Sequence, residues 1–219
     1  YDVSSDDRVR MQNLSLADPL LSQGIPFLHM GSELLRSKSF LRDSYDYGDW
    51  FNFVDFSYQS NNYNVGLPPA EKDKENWGVI SKLLENNEGR DMVSTEQIKF
   101  AADVFAEFIT IRTQSPLLRL RTAKQVNDRL EFHNTGKDQQ AGLIVMSISD
   151  QVGEDLDNQY ESMLIVFNNS DKIKDVAFES KGYKLHPVQA KGVDKQTQSS
   201  ITTESGFSVS PLTAAVFVK

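Results

Sequence analysis

The sequence contains no cysteine and no long apolar run, and both absences restrict what the chain can be. Without cysteine there are no disulfides and no thiolate metal sites, which leaves the redox compartment open. The longest apolar runs, such as Gly142–Met146 and Met163–Phe167, are too short to span a bilayer. Positive charge is also scarce, with 23 basic against 31 acidic residues and a net charge of −8. Because like charges repel, this balance argues against nucleic acid or an anionic membrane as a partner.

What remains is the composition of an ordinary globular protein, 39% hydrophobic and 25% charged over 219 residues. This length accommodates one large domain or two small ones. The chain starts at Tyr1, and no charged stretch followed by an apolar one resembles a signal peptide. We therefore expect a piece of a longer protein. A parent that is secreted, periplasmic or displayed at the cell surface is compatible with the sequence.

The first thirty residues predict a helix, a tight turn and a buried strand. Ser4–Asp7 supply capping and acidic residues for a helix N-terminus, and apolar residues then recur at helical spacing as far as Gly24. Pro19 lies inside that pattern and should kink or shorten the helix, at a cost of about 3 kcal/mol if the turn stays regular. The short apolar run Ile25–Met30 is typical of a fully buried parallel strand.

A long polar stretch follows, from Ser32 to about Lys74, rich in Asp, Asn, Ser, Tyr and Gly. Loops longer than about 12–15 residues are generally functional or disordered. The density of aromatic residues argues against disorder, so the stretch is a candidate ligand surface. The alternative is a structural insertion that packs on itself.

Two helices and a set of short strands are predicted for the remainder. A short helix is expected near Trp77–Leu84 and a longer one over Thr95–Thr113, where Ser94 and Gln97 form a capping box. Beyond Leu120 the periodicity becomes strand-like. The predicted strands are Arg129–Asn134, Leu143–Ser149, Met163–Phe167, Asp175–Phe178, Tyr183–Val188, Ser200–Thr203 and Ala214–Val218. Short strands separated by turn residues predict an antiparallel sandwich.

Several motifs together resemble one enzyme family. They are Gln23-Gly24-Ile25-Pro26-Phe27, Gly31-Ser32-Glu33-Leu34-Leu35-Arg36-Ser37-Lys38, Arg42-Asp43-Ser44-Tyr45, Gly48-Asp49-Trp50-Phe51-Asn52, Asn61-Asn62-Tyr63-Asn64-Val65-Gly66-Leu67-Pro68, Phe132-His133-Asn134-Thr135-Gly136 and Leu143-Ile144-Val145-Met146-Ser147. These motifs extend over nearly the whole chain and resemble those of type I pullulanases and plant limit dextrinases, which are debranching glycoside hydrolases of the α-amylase superfamily.

The resemblance implies an α/β plus all-β fold. Residues 1–118 would be the last strand and flanking helices of a (β/α)8 barrel, and residues 119–219 an antiparallel β-sandwich. The implied activity of the parent is retaining hydrolysis of α-1,6 links in pullulan, starch or limit dextrin. That chemistry needs two carboxyl groups about 5 Å apart. In the family these carboxylates precede the last barrel strand, so we assign no catalytic residue to this chain. Glu33 is read as loop structure or as a partner of a contacting residue.

The resemblance does carry over sugar-contacting positions, which we assign to Asp49, Trp50, Asn52 and Phe53. The family places an Asp, and four residues later an Arg, against a donor-side glucose. Asp49 matches the Asp, but Phe53 stands at the Arg position, where it can stack on a sugar and cannot donate hydrogen bonds. Tyr47, where the family has a small residue, and Pro19 are two further departures.

Other candidates are weaker. His29, His133 and His186 lack metal-ligand spacing and are read as structural. Trp77 is read as helix packing. No cofactor is certain, and Ca²⁺ is the metal that the acidic segment Asp150–Asp157 could hold, against the simpler reading of a solvated turn.

Three readings therefore stay open. The first is an enzyme fragment whose partners are an α-glucan oligosaccharide and the upstream part of the same barrel. The second is a non-catalytic carbohydrate-binding or degenerate pullulanase-related module, which Phe53 slightly favours. The third is a decayed gene product with neither activity. Under the first reading, the chain alone would be inactive.

Overall fold

The structure, a computed structural model, describes residues 3–219. Its helices are α1 (Ser5–Leu21), α2 (Ala70–Asp73), α3 (Trp77–Asn87), α4 (Thr95–Gln114), α5 (Ala123–Arg129), α6 (Pro187–Ala190) and α7 (Lys195–Gln198). Its strands are β1 (Leu130–Phe132), β2 (Leu143–Ser149), β3 (Ser162–Asn168), β4 (Lys174–Ala177), β5 (Lys184–Leu185), β6 (Ile201–Thr203), β7 (Gly206–Val209) and β8 (Thr213–Val218). Contacts divide the chain into two compact units, one built from residues up to Gln12 with His29–Ala102, the other from Asn13–Leu28 with Asp103–Lys219.

Helix α1 begins and ends at groups that satisfy its free backbone ends. The Ser4 hydroxyl accepts a hydrogen bond from the Asp7 amide at 3.1 Å, which caps the first turn. The helix continues past Pro19 and ends two residues later, at Leu21. The carbonyls that follow are held by Arg112 of α4, whose guanidinium donates to the oxygens of Leu20, Ser22 and Gly24 at 2.8, 2.8 and 2.5 Å. A buried cation thus stabilises the negative end of the helix.

The strand predicted at Ile25–Met30 is not present, and this prediction is wrong for the chain as described. Within residues 3–219 no strand pairs with this segment, and every strand pair is antiparallel and lies beyond residue 129. Ile25 and Phe27 are each 96% exposed. The physical reason is that a parallel strand needs a neighbour for its backbone hydrogen bonds. A (β/α)8 barrel is accordingly not part of this structure.

The antiparallel sandwich is confirmed in the second unit. A five-stranded sheet runs in the order β1-β2-β3-β8-β5, and a three-stranded sheet in the order β4-β7-β6. Side chains from both sheets form one core. That core contains Leu143, Val145, Leu164, Val166, Val176, Tyr183, Phe207, Val209, Ala215 and Phe217.

The central strands β3 and β8 are buried on both faces, which explains their unbroken apolar sequences. Beyond the short strand β5, the edge of β8 is completed by a side chain. The Gln189 amide accepts from the Val216 N–H at 2.8 Å and donates to the Ala214 carbonyl at 2.7 Å. A glutamine therefore takes the place of a neighbouring strand at this position.

The second half also contains helices where strands were expected. The segment after Leu120 was predicted to be strand-like, but α5 forms there because the Thr122 hydroxyl accepts from the Gln125 amide at 3.1 Å and caps it. The strand predicted over Tyr183–Val188 is reduced to β5, because Pro187 begins a helix capped by His186. By contrast, β2 has the predicted bounds, and the capping box of Ser94 and Gln97 is present in both directions, at 2.9 and 3.2 Å.

Candidate functional site

The four residues assigned to sugar contact lie on or directly after one 3₁₀ turn, Asp49–Asn52, in the first unit. Gly48 precedes the turn and Phe53 ends it. Phe51 points into the protein and is buried, whereas Asp49, Trp50 and Phe53 are exposed. Because Phe51 is anchored in the interior and the turn is short, Asp49, Trp50 and Phe53 must face outward.

The Asp49 carboxylate is the free acceptor of this surface. It is exposed, and within residues 3–219 it makes no hydrogen bond or ion pair. Its neighbour along the loop, Asp43, is instead engaged by the Tyr45 amide at 3.0 Å and by Lys72 at 3.5 Å. The Tyr45 hydrogen bond and the Lys72 charge hold the pKa of Asp43 below its usual range. Asp49 alone of this pair keeps its oxygens available for a ligand.

Trp50 and Phe53 supply apolar surface beside that carboxylate. The Trp50 indole is 52% exposed and the Phe53 ring 53% exposed. Trp50 packs edge-on against Phe51, with ring centroids 4.4 Å apart and planes at 87°. Aromatic faces of this kind, next to an unpaired acceptor, suit a ligand with apolar faces and hydroxyl edges.

Asn52 differs from the other three, because its side chain is used inside the protein. Its Oδ1 accepts from Arg36 Nη1 at 3.4 Å, and its amide nitrogen donates to the Ser44 hydroxyl at 3.3 Å. Lys38 donates to the same hydroxyl at 2.8 Å, and Arg36 Nη2 lies 3.1 Å from Nδ1 of His29. Asn52 is thus part of a hydrogen-bonded chain that reaches Arg36 directly and Lys38 through Ser44.

Glu33 and a small cavity lie near this chain of hydrogen bonds. One Glu33 oxygen accepts from the Gly31 amide at 3.1 Å, so the carboxylate stabilises the local loop. The cavity, of ≈ 210 Å³, is polar and is lined by Gln12, His29, Ser32, Leu35 and Arg36.

Comparison with known proteins finds a matching family and matching folds. The family model for pullulanase-type α-1,6-glucosidases, C-terminal, matches residues 58–219. Pullulanase 1, chloroplastic, of Arabidopsis thaliana is 40% identical over 229 aligned positions, covering 100% of this chain and 23% of the relative. Pullulanase of Klebsiella pneumoniae is 47% identical over 166 positions, covering 74% of this chain and 15% of the relative. The maltotriose complex of the K. pneumoniae enzyme superposes with a TM-score of 0.89 at 37% identity, covering 99% of this chain and 24% of the other.

The chain belongs to the pullulanase-type α-1,6-glucosidases. It corresponds to a C-terminal portion of such an enzyme, and it spans less than a quarter of the length of the relatives above. No described helix is both long and apolar enough to cross a membrane.

We expect departures from the family pattern at Phe53 and Tyr47, and both residues have a defined structural setting. Phe53 ends the turn with its ring exposed, so this position offers an apolar surface. The Tyr47 hydroxyl donates to a Glu71 oxygen at 2.8 Å, and the Lys72 ammonium lies 4.7 Å from the ring centroid. The hydrogen bond to Glu71 raises the pKa of Tyr47. Tyr47 therefore links the loop to α2.

The three histidines have separate surroundings. His29 meets Arg36, and Nε2 of His133 lies 2.7 Å from the Ser147 hydroxyl. His186 is fully buried, and its Nδ1 accepts from the Val188 amide at 3.2 Å. Burial lowers the pKa of His186 to about 4, against a smaller opposing effect of Asp157.

The acidic segment Asp150–Asp157 uses its two buried carboxylates internally. Asp150 pairs with buried Arg129 at 2.5 Å and accepts from two backbone amides, and Asp157 accepts from the Ser115 hydroxyl at 2.5 Å. Within residues 3–219, no group of three or more His, Cys, Asp or Glu side chains is placed to hold a metal ion.

Trp77 also has a structural contact, since its indole N–H donates to the Pro68 carbonyl at 2.8 Å.

Sequence reasoning did not identify the residues that support the turn. Arg36, Asn62 and Gly66 each contact it, through Asn52 or Trp50. All three lie within motifs of the family resemblance, but residue type alone does not reveal which neighbour a loop residue touches. The only available signal was their position in loop motifs that are otherwise rich in exposed aromatics.

Proposed function

We propose that this chain forms one wall of the α-glucan cleft of a debranching glycoside hydrolase that cleaves α-1,6 links. The observation that carries the proposal is the outward-facing set on one turn: the unpaired Asp49 carboxylate beside the exposed rings of Trp50 and Phe53. A carboxylate accepts hydrogen bonds from sugar hydroxyls, while aromatic faces cover the apolar face of a glucose unit. A pullulanase of K. pneumoniae has been crystallised with maltotriose, which supports the same ligand class here.

Within this proposal, residues 1–118 are the end of a (β/α)8 barrel and residues 119–219 are the C-terminal sandwich. Ile25–Met30 would become the last barrel strand when an upstream strand pairs with it. The support is physical: a segment that exposes Ile25 and Phe27 almost completely is costly in water and gains by burial. The catalytic carboxylates would come from that upstream part, together with retaining chemistry.

In the proposed role, Asn52 acts indirectly. Its side chain is occupied by Arg36 and Ser44, so it orients the turn, whereas Asp49, Trp50 and Phe53 meet the sugar. Phe53 in place of arginine would replace directed hydrogen bonds with stacking, which is less selective for the hydroxyl pattern.

A second function, a carbohydrate-binding module without catalysis, is favoured by one observation. Among the outward-facing candidates on the turn, only the Trp50 indole N–H can donate a hydrogen bond, and none offers the forked donors of an arginine. The coding sequence upstream of Tyr1 separates the two functions. An open frame that supplies an Asp nucleophile, a Glu acid/base and a further Asp would support the enzyme, and a start codon just upstream would leave the module.

Binding is tested directly by titrating the chain with maltotriose in a calorimeter, with Asp49→Ala as the variant. We expect binding by the unaltered chain and at least a tenfold weaker affinity for Asp49→Ala, equivalent to roughly 1.4 kcal/mol. Asp138→Ala is the matched control, because it removes the same charge from an exposed site in the sandwich unit. Equal affinity in all three proteins would contradict the role of Asp49, and no binding by any of them would contradict the proposed cleft.

A further inference from the structure

The loop segment Asn61–Gly66 lies directly against the turn that bears the sugar-contacting candidates. Asn62 of this segment is only 6% exposed. Its side-chain amide donates to the Trp50 carbonyl and to the Ser37 carbonyl, both at 3.4 Å. One buried amide therefore joins the turn to the segment that follows Glu33.

Gly66 approaches the same tryptophan from its ring side. A Cβ atom built on Gly66 would lie 3.0 Å from Cη2 of the Trp50 indole, closer than such atoms normally come. The backbone of Gly66 has φ +156°, and its carbonyl accepts from the buried Ser39 hydroxyl at 2.7 Å. The hydrogen bond keeps the glycine from moving away, so the indole edge rests against backbone.

Trp50 is therefore held on three sides. Gly66 limits the far edge of its ring, Phe51 packs edge-on at 4.4 Å, and Asn62 fixes its backbone carbonyl. The ring nevertheless stays 52% exposed. A half-exposed indole with restricted rotation loses little conformational freedom on binding, which favours affinity.

We propose that Asn62 and Gly66 are positioning residues that hold Trp50 as a preformed stacking platform for one glucose unit of an α-glucan. This inference rests on the proposed function, because it names the support of the same sugar site. Neither positioning residue touches the sugar: Asn62 acts through the backbone of Trp50, and Gly66 acts by leaving room for its ring.

The test uses the two tryptophan indole N–H signals in a ¹⁵N–¹H spectrum of the full chain. Trp77 is the internal reference, because its indole is hydrogen-bonded to Pro68 in the same unit. The variants are Gly66→Ala, which crowds the Trp50 ring, and Asn62→Asp, which removes the amide donor and suits a backbone with φ +63°. The matched control is Gly48→Ala, since a Cβ on Gly48 meets no described atom within 4 Å.

Without ligand, we expect the Trp50 signal to shift and to become more mobile in both variants, while the Trp77 signal stays in place. With maltotriose, the dissociation constant should rise about tenfold for Gly66→Ala and stay within about twofold for Gly48→Ala. Trp50→Ala should weaken binding at least as much as Gly66→Ala does.

Two results would overturn the inference, and they differ from those that would overturn the proposed function. An unchanged Trp50 signal in Gly66→Ala and Asn62→Asp would refute positioning, whether or not sugar binds. Where the unaltered chain binds maltotriose, equal affinity of Gly66→Ala and Gly48→Ala would refute it as well. Failure of the unaltered chain to bind, with Trp50 displaced in both variants, would count against the proposed function alone. If Gly66→Ala does not fold, Asn62→Asp decides both readouts.

Discussion

His186 should make the stability of the sandwich unit depend on pH between about 6.5 and 4. Its ring is fully buried, and because Nδ1 accepts from the Val188 amide, the neutral ring carries its hydrogen on Nε2. Nε2 has no hydrogen-bond partner within the described chain. Burial lowers the pKa of His186 from its usual 6.5 to about 4, so the folded protein resists protonation.

The size of the effect follows from linkage. Since the unfolded chain binds the proton more readily, the contribution of His186 is complete above pH 6.5 and is lost as pH falls towards 4. The full difference is about 3 kcal/mol, and roughly 2.5 kcal/mol of it is lost by pH 4.5. Other groups also titrate in this range, so the comparison must be made against a variant that lacks this one.

His186→Asn is that variant, because an asparagine at the same position can still accept from the Val188 amide and cap α6. Urea unfolding followed by far-ultraviolet circular dichroism gives the free energy of unfolding at pH 7.5 and 4.5. We expect the unaltered chain to lose roughly 2.5 kcal/mol more than His186→Asn between these values. If the two proteins lose the same amount, the depressed pKa of His186 is incorrect.

Two further predictions concern backbone contacts, and urea unfolding at pH 7.5 tests both. Gly206→Ala would place a Cβ 1.9 Å from the Val176 carbonyl and should cost about 3 kcal/mol or more, whereas Gly136→Ala, with a positive φ but open space, should cost about 1 kcal/mol. If both variants lost the same free energy of unfolding, the backbone near Val176 would be able to move away from the added methyl group at no cost. Arg112→Met should cost about 3 kcal/mol because three carbonyls at the end of α1 lose a charged donor, and the exposed Arg121→Met should cost less than about 0.5 kcal/mol. If Arg112→Met lowered the free energy of unfolding by less than Arg121→Met does, Arg112 would not stabilise the end of α1.

The sequence predicts best where local chemistry and burial agree. The capping box at Ser94 forms as expected because its two hydrogen bonds involve residues three apart. Strand β2 keeps its predicted bounds because four of its five apolar residues are buried, Ile144 being the exception. Ile25–Met30 has an equally apolar sequence, yet it forms no strand because a strand also requires a partner backbone, which periodicity cannot supply.

The site shows the same limit at the level of single side chains. The resemblance points to the turn that carries Asp49 and Trp50, and both are exposed there. It does not reveal that Asn52 is engaged by Arg36, nor that Gly66 lies against the Trp50 ring. Those contacts join residues 16 positions apart in both cases, and they depend on how the loop folds back.

The glutamine that completes the edge of β8 bears on how the sandwich avoids self-association. An open strand edge presents unpaired N–H and C=O groups to which another chain can add. The Gln189 amide is hydrogen-bonded to the Val216 N–H and to the Ala214 carbonyl. Because Gln189 belongs to a helix, its backbone offers no free strand edge to which another strand could pair. Another strand therefore cannot add through these two groups, and this part of the fully buried strand β8 is closed to amyloid-like pairing.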